Sequence, residues 1–173
     1  MALNKNTLKQ NLKDHFTDIR DNVKSKEDSA DGFAQAIIDY SSDAVLPVAG
    51  NAPVTSATPL ATETLRNGIL ASYTAQDATM GMVSTAIVAY VLASFIGFAN
   101  IAGTNLGVGI STMTVPPIFI PSMAVGMGGG SIEDVTDSLA TVIDTAYGSI
   151  LFTGTATVGS AVTVYPPPGV PIL

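Results

Sequence analysis

The sequence contains no cysteine and only one histidine, His15. Without cysteine there can be no disulfide framework, no thiol nucleophile and no thiolate-bound metal. A single histidine has no second imidazole with which to build a zinc-type site. His15 lies beside Phe16 in a charged helical segment, which is more typical of a partly exposed helical residue than of a general base. We therefore expect no cofactor, no metal site and no enzyme activity.

Charge is also scarce, because Asp, Glu, Lys and Arg make up 12% of the 173 residues while apolar residues make up 47%. Soluble domains usually carry about 25% charged residues. A chain with so little charged surface is expected to have much of that surface covered by neighbouring molecules. The composition thus predicts a subunit of a larger assembly.

Basic residues are few and stop early, since Arg66 is the last one in the chain. The other six stand near the N-terminus and are interleaved with acids, as on a solvated helix surface. Binding to phosphates requires clustered Lys and Arg. With a net charge of −7, the chain is not expected to bind nucleic acid.

The acidic and glycine-rich motifs have structural explanations. Glu133, Asp134 and Asp137 stand at the start of a predicted helix, where the helix dipole favours acids. The Gly-rich residues 126–130 lack the Lys-Ser/Thr that follows in a phosphate-binding loop. We expect no small-molecule substrate at either motif.

The N-terminal residues 1–6 include a lysine but no apolar run follows them. This pattern is not that of a secretory signal. We expect the chain to be made in a cytoplasm and to function there or in a particle assembled there.

No charged residue occurs from Ala78 to Ile132, and within this stretch Met80–Ala102 is long and apolar enough for a membrane-spanning helix. A small integral membrane protein is therefore an alternative. No Lys or Arg flanks the stretch to anchor or orient it. A helix that is apolar all round can also be buried by protein, and we expect Met80–Phe98 to be buried between subunits at the centre of an oligomer.

An internal repeat supports the protein-buried interpretation. Residues 7–16 align with residues 64–73, and residues 29–40 align with residues 79–90. The matched pairs are Leu8 and Leu65, Leu12 and Ile69, Phe16 and Tyr73, Ala36 and Ala86, Ile37 and Ile87, and Tyr40 and Tyr90. Because the first copy has a polar face, its counterpart in the second copy is expected to be a helix of a folded protein.

Each copy has the periodicity of a helical hairpin. The first helix has an apolar stripe made of Leu8, Leu12, Phe16, Ile19 and Val23. The polar residues 24–28 turn the chain, and Ser29 is the predicted N-cap of a second helix with the stripe Phe33, Ala36, Ile37 and Tyr40.

The remaining segments are of other types. Residues 44–60 contain Pro47, Pro53 and Pro59 and form a linker, and the apolar residues 103–130 are rich in Gly, Pro and Met. Ser131 is the predicted cap of a third helix that runs through Ala146, and its residues 137–144 resemble residues 31–38. Two Thr- and Val-rich strands around Gly159-Ser160 predict a short β hairpin.

The predicted fold is thus mainly α, with duplicated helical hairpins, a short C-terminal β hairpin and extended Pro/Gly-rich arms. Its parts are a first hairpin at 1–46, a linker at 47–60, a second hairpin at 61–102, an apolar extended segment at 103–130, and the third helix, β hairpin and extended tail at 131–173. The apolar tail would bind a neighbouring subunit at low entropic cost. The predicted subunit contacts are Val83, Ile87, Tyr90, Val91, Phe95, Phe98, Ile118, Phe119, Tyr165, Pro166, Pro167 and Pro168.

Several motifs resemble those of small virion structural proteins of tailed bacteriophages. They are Leu-Asn-Lys-Asn-x-Leu-Lys-x-x-Leu at 3–12, Ser-Ala-Asp-x-Phe-Ala-x-Ala-Ile-x-x-Tyr at 29–40, Leu-Ala-x-x-Ile-Asp at 139–144 and Thr-Val-x-Pro-Pro-Pro-Gly at 163–169. The resemblance is loose, spans most of the chain, and is broken by the uncharged centre with Pro116-Pro117. It implies a multi-copy component of a tail, neck or baseplate, without catalytic residues.

We therefore expect a non-catalytic subunit that contacts copies of itself and other virion proteins. A small holin-like membrane protein and a head decoration or cement protein remain alternatives. An enzyme or ligand-binding module is a third class, and it would require a pocket with shifted ionisable groups.

Overall fold

The computed structural model describes residues 3–43, 45–46, 52–53, 59–75, 82–83, 85–90, 106–108, 112–114, 130–149, 151–158 and 161–171. For residues 59–60 and for every strand it describes the backbone alone. Where side chains are described, the regular structure is helical. The prediction of a mainly α chain is confirmed for this part.

The four helices with described bounds are α1 (Lys5–Asp21), α2 (Lys26–Ser42), α3 (Pro59–Thr74) and α4 (Ile132–Gly148). Residues 82–83 and 85–90 are also helical, and we call the second of these the 85–90 helix. α3 begins at Pro59, inside the segment assigned to the linker, and proline is favoured in the first turn because its missing N–H needs no partner there.

α1 is shorter than the sequence predicted. The Asn4 side chain caps its start by accepting hydrogen bonds from the N–H groups of Asn6 and Thr7. At its end Asn22 is extended, with φ −129° and ψ 143°, and the helical periodicity stops there. The assignment of Val23 to the apolar stripe is therefore wrong, because Val23 lies beyond the helix and is fully exposed.

The N-cap of α2 is also not the predicted one. Ser25, not Ser29, accepts the hydrogen bond from the Asp28 N–H at 3.0 Å. The Ser29 hydroxyl lies within the first turn and donates to the carbonyl of Ser25. The helix thus begins four residues earlier than a Ser29 cap would allow.

The predicted cap of α4 is confirmed. Ser131 accepts a hydrogen bond from the Asp134 N–H, and the Asp134 carboxylate accepts one from the Ser131 N–H, which forms a reciprocal capping box. The helix continues to Gly148, two residues past the predicted Ala146.

The strands are known from their backbone. β1 (Val45–Leu46) pairs with β2 (Ala52–Pro53), and β5 (Leu151–Val158) pairs with β3 (Leu106–Val108), β4 (Thr112–Thr114) and β6 (Ala161–Pro171), always antiparallel. The turn at 159–160 and all strand side chains lie outside the described part of the chain. The C-terminal hairpin as a folded unit, and the extended arms at 103–130 and 165–173, stay predictions.

Burial in the helical core follows the internal repeat. Leu8, Leu12, Ile37 and Tyr40 are buried, and so are their matched residues Leu65, Ile69, Ile87 and Tyr90. Phe16 and Tyr73 are both partly buried. The third helix extends the correspondence, since Leu139, Ala140 and Ile143 of α4 are buried like Phe33, Ala34 and Ile37 of α2.

The contacts between helices repeat as well. α1 packs against α4 and α3 packs against α2. Lys9 of α1 contacts Asp137 of α4 at 3.1 Å, and Arg66 of α3 contacts Asp31 of α2 at 3.3 Å. Lys9 and Arg66 are matched residues, as are Asp137 and Asp31. The α1–α4 pair is therefore the counterpart of the α3–α2 pair.

The described helices consequently alternate in one series. α1 also packs against α2, and α3 approaches the 85–90 helix so closely that a Cβ added to Gly68 would lie 2.5 Å from the Cβ of Ala86. The order in space is α4, α1, α2, α3 and the 85–90 helix. Two steps of the series, α4 to α1 and α2 to α3, use matched positions of the repeat.

Candidate functional site

A buried polar cluster joins α2, α4 and the 85–90 helix. The hydroxyl of Tyr40 donates to the Asp144 carboxylate at 2.7 Å, and the oxygens of Ser41 and Tyr90 are 2.7 Å apart. Tyr40 also meets the ring of Tyr147 edge-on, with centroids 5.3 Å apart. We call these five residues the tyrosine cluster.

The cluster again follows the repeat. Tyr40 and Tyr90 are matched positions, and Tyr147 of α4 matches Ser41 of α2. The contact of Tyr147 with Tyr40 is therefore the counterpart of the contact of Ser41 with Tyr90. Contacts at two equivalent positions thus link three equivalent helices, which are alternate members of the series.

The tyrosines of this cluster are poorly suited to proton transfer near neutral pH. Burial, and then the hydrogen bond to Asp144, raise the pKa of Tyr40 far above its usual value of 10.0. Burial likewise raises the pKa of Tyr147. A general acid or base works best with a pKa near the working pH. The cluster instead specifies how the helices pack.

The acids at the start of α4 are used for capping and ion pairing. Asp134 belongs to the capping box. Glu133 pairs with both Lys9 and Lys13 of α1, and these ammonium groups lower its pKa to about 2. Asp137 pairs with Lys9. Within the described residues, no group of three His, Asp or Glu side chains could hold a metal ion.

His15 is partly exposed, as the sequence predicted, although its Nε2 atom is buried. Its ring lies between α1 and α2, with the Phe16 centroid at 5.4 Å and the Phe33 centroid at 6.3 Å. A Cβ on Gly32 would overlap the imidazole. Burial lowers the pKa of His15 below its usual 6.5.

A shallow apolar groove of about 310 Å³ lies where the end of α1 meets the start of α4. Its lining residues are Phe16, Ile19, Arg20, Gly130, Ile132 and Val135. The fully exposed Val23 lies just beyond α1, three residues after Arg20 in the chain. The groove was not predicted, because it depends on the packing of α1 against α4, which leaves no local signal in the sequence.

The predicted subunit contacts fall into two groups. Val83, Ile87 and Tyr90 are buried inside the chain's own core, so their assignment as contacts between subunits needs correction. The interior of the same chain covers them. Outside the described residues lie Val91, Phe95, Phe98, Ile118 and Phe119, and also the side chains of Tyr165, Pro166, Pro167 and Pro168 on β6.

In the described part of the chain, none of the helices is both long enough and apolar enough to span a bilayer. Of the stretch Met80–Ala102, that part includes residues 82–83 and 85–90 alone. Val83, Ala86, Ile87 and Tyr90 within it face the protein core.

Comparisons with models of known protein families, with curated proteins and with solved structures found no match to this chain.

Proposed function

We propose that this chain is a non-catalytic structural subunit, present in many copies, of a tailed-phage particle, in its tail, neck or baseplate. Its helices form a charged, water-compatible body. Its uncharged segments are covered by copies of the same chain and by other virion proteins. The subunit is made in the host cytoplasm and resides in the virion.

The observation that carries the proposal is the position of the charged residues. All of them except Asp77 lie in α1 to α4 or in the residues directly joined to these helices. None occurs in residues 78–132 or after Asp144. Exposing apolar surface to water costs about 25 cal/mol per Å², and segments of this length and composition favour coverage by other molecules.

The packing of the helices supports a structural role for the subunit. Ion pairs and contacts of the tyrosine cluster recur at matched positions of the repeat. Duplicated hairpins of this kind give a body of defined shape, from which a C-terminal hairpin and extended arms reach neighbouring subunits. Val83, Ile87 and Tyr90 belong to that body, so we assign the contacts between subunits to the other predicted residues.

The side chains best suited to acid–base chemistry already make contacts that stabilise the fold. His15 is packed between two phenylalanines. Glu133 and Asp137 are ion-paired with α1, and Asp144 accepts the hydrogen bond from Tyr40. These assignments favour a structural role for each of them.

The first test is the mass of the full chain, purified without detergent, by light scattering behind gel filtration. We expect a defined multiple of the 17.7 kDa protomer. A soluble species of 17.7 kDa would overturn the proposal. Recovery in detergent alone would favour the holin-like alternative.

A pair of variants tests whether the uncharged segment makes the contacts. Phe119→Asp places a charge in that segment and should reduce the mass of the oligomer while leaving the helical circular dichroism unchanged. Asn67→Asp adds the same charge to an exposed position of α3 and should leave the mass unchanged. Equal behaviour of the two variants would count against the assignment.

The location is tested on gradient-purified particles. Peptides of the chain should be present in many copies per particle, and a gold-labelled antibody should mark the tail, neck or baseplate. Label spread over the capsid would favour the decoration or cement alternative. Absence of the chain from the particles would refute the proposal.

A further inference from the structure

His15 lies between the end of α1 and the start of α2. Its ring lies 5.4 Å from the Phe16 ring and 6.3 Å from the Phe33 ring, and the two phenylalanines are 6.0 Å apart. On the α2 side the backbone of Gly32 lies directly against the imidazole, with no room for a Cβ. The ring is therefore packed tightly against the α2 backbone at Gly32.

In the described part of the chain, one of the two nitrogens of the His15 ring lacks a hydrogen-bond partner. The Nε2 atom of His15 is buried and has no hydrogen-bond partner among the described residues. The backbone of Ser29 on α2 favours the charged form of the ring and so raises its pKa, but this influence is the smallest one on the ring. A proton on an imidazole nitrogen that lacks an acceptor leaves a buried charge poorly solvated.

We propose that His15 is an acid-sensitive contact, such that protonation of its ring at mildly acidic pH loosens the packing of α1 against α2 while α1 stays attached to α4. The inference is independent of the proposed virion role. It rests on the enclosure of the ring between two helices and on the unpartnered nitrogen.

The charged groups near the ring are few and act in opposite directions. Asp18 on α1 favours the protonated form and Lys24, in the connection between the helices, disfavours it. Lys24 is itself held by Asp18 at 2.9 Å, which weakens the effect of either charge on the ring. From α2 the ring meets Ser29, Gly32 and Phe33, and Asp28 acts on Lys24. Burial is the largest influence, and it lowers the pKa of His15.

The direction of the pH effect follows from this difference. The unfolded or opened segment binds a proton at a pKa near 6.5, whereas the packed ring binds it at a lower pH. The contribution of His15 to stability is therefore complete above pH 6.5 and is lost as the pH falls from 6.5 through the lowered pKa. Between the two values, the equilibrium constant for opening should rise about tenfold per pH unit.

The α1–α4 contact has a different pH range. Glu133 stays ionised down to a pKa of about 2 because of its two lysine partners. Mild acid should thus weaken the contact of α1 with α2 and leave the contact of α1 with α4 intact. This difference separates a local opening from global unfolding.

The first measurement is the nuclear magnetic resonance titration of the Cε1–H of His15 in the full chain, which is unambiguous because the chain has one histidine. We expect a pKa below 6.5. Phe33→Leu, which loosens the enclosure, should move that pKa towards 6.5. A pKa of 6.5 or higher in the unaltered chain would overturn the proposal.

The second measurement is amide hydrogen exchange at pH 7.5 and pH 5.5, corrected for the intrinsic pH dependence of exchange. Protection of the facing turns of α1 and α2 should fall more than protection of α4, by up to about tenfold. In His15→Leu this selective loss should be absent. Equal loss in His15→Leu and in the unaltered chain would show that carboxylates cause the effect. If His15→Leu does not fold, the titration of the unaltered chain decides.

Discussion

The hydroxyl of Tyr40 donates a 2.7 Å hydrogen bond to the carboxylate of Asp144, a residue 104 positions away in the chain. α2 packs against both α1 and α3, so this bond ties α4 directly to the middle of the helical series. The Tyr40 ring reinforces the link by meeting Tyr147 edge-on. An aromatic pair of this kind stabilises packing beyond the area that it buries.

Replacing Tyr40 by phenylalanine keeps the ring and removes the bond. A hydrogen bond to a charged group contributes about 1.5–3 kcal/mol, and we expect Tyr40→Phe to lower the free energy of unfolding by that amount in urea denaturation followed by circular dichroism. Tyr73→Phe is the matched control, since the Tyr73 hydroxyl makes no hydrogen bond to another described residue. Its effect should stay within about 0.5 kcal/mol. Similar losses in both variants would contradict the role of the bond.

The N-caps give a second prediction, because two serines cap matched helices. Ser25→Ala and Ser131→Ala should each lower the free energy of unfolding by about 1 kcal/mol, since each removes the acceptor of a backbone N–H. Ser29→Ala should change it by much less, because the Ser29 hydroxyl only donates to a carbonyl of its own helix. A larger loss from Ser29→Ala than from Ser25→Ala would show that the cap is misassigned.

The comparison of predicted and observed N-caps and buried faces illustrates what local sequence can predict. The apolar spacing correctly predicted the buried face of α1 at Leu8 and Leu12, and that of α2 at Ile37 and Tyr40. The same reasoning chose Ser29 as a cap, although Ser25-Lys-Glu-Asp28 repeats the pattern Ser131-Ile-Glu-Asp134 that was read correctly. That second copy of the motif was the available signal.

Contacts between distant helices were beyond the reach of such patterns. The pairing of α1 with α4 depends on Lys9 and Lys13 meeting Glu133 and Asp137, and no periodicity within either segment encodes the partner. Val23 fits a helical stripe by spacing alone, but the extended Asn22 ends the helix before it. The interior position of Ile87 could likewise not be distinguished from a position between subunits, because both environments select the same apolar residue.

Gly68 gives a third prediction, at the approach of α3 to the 85–90 helix. In an unconstrained helix, Gly→Ala would stabilise by about 1 kcal/mol. Here the new methyl group would lie 2.5 Å from the Cβ of Ala86, and overpacking costs about 1–3 kcal/mol. We expect Gly68→Ala to lower the thermal midpoint measured by circular dichroism.

A second substitution isolates the cause of that loss. Ala86→Gly in the Gly68→Ala background removes the clashing methyl group and should restore part of the stability, as a double-mutant cycle would measure. Gly148→Ala is the control at a position with open space around it, and it should not destabilise the protein. Additive effects of the two substitutions at 68 and 86 would rule out their direct contact.

Glu133 provides a prediction about pH. Lys13 and Lys9 lower its pKa from the usual 4.5 to about 2, so its contribution to the α1–α4 contact is present above pH 4.5 and is lost as the pH falls through about 2. Titration of the carboxylate by nuclear magnetic resonance at low salt should give this lowered value.

Lys13→Met should raise the pKa of Glu133 towards 4.5, because the variant removes one of the two lysines that pair with this carboxylate. Lys24→Met, which removes a lysine that pairs with Asp18 instead, should leave it unchanged. Since the pair is exposed to solvent, 1 M salt, with a screening length of about 3 Å, should also raise the pKa. A Glu133 pKa near 4.5 at low salt would show that this carboxylate does not form ion pairs with Lys9 and Lys13.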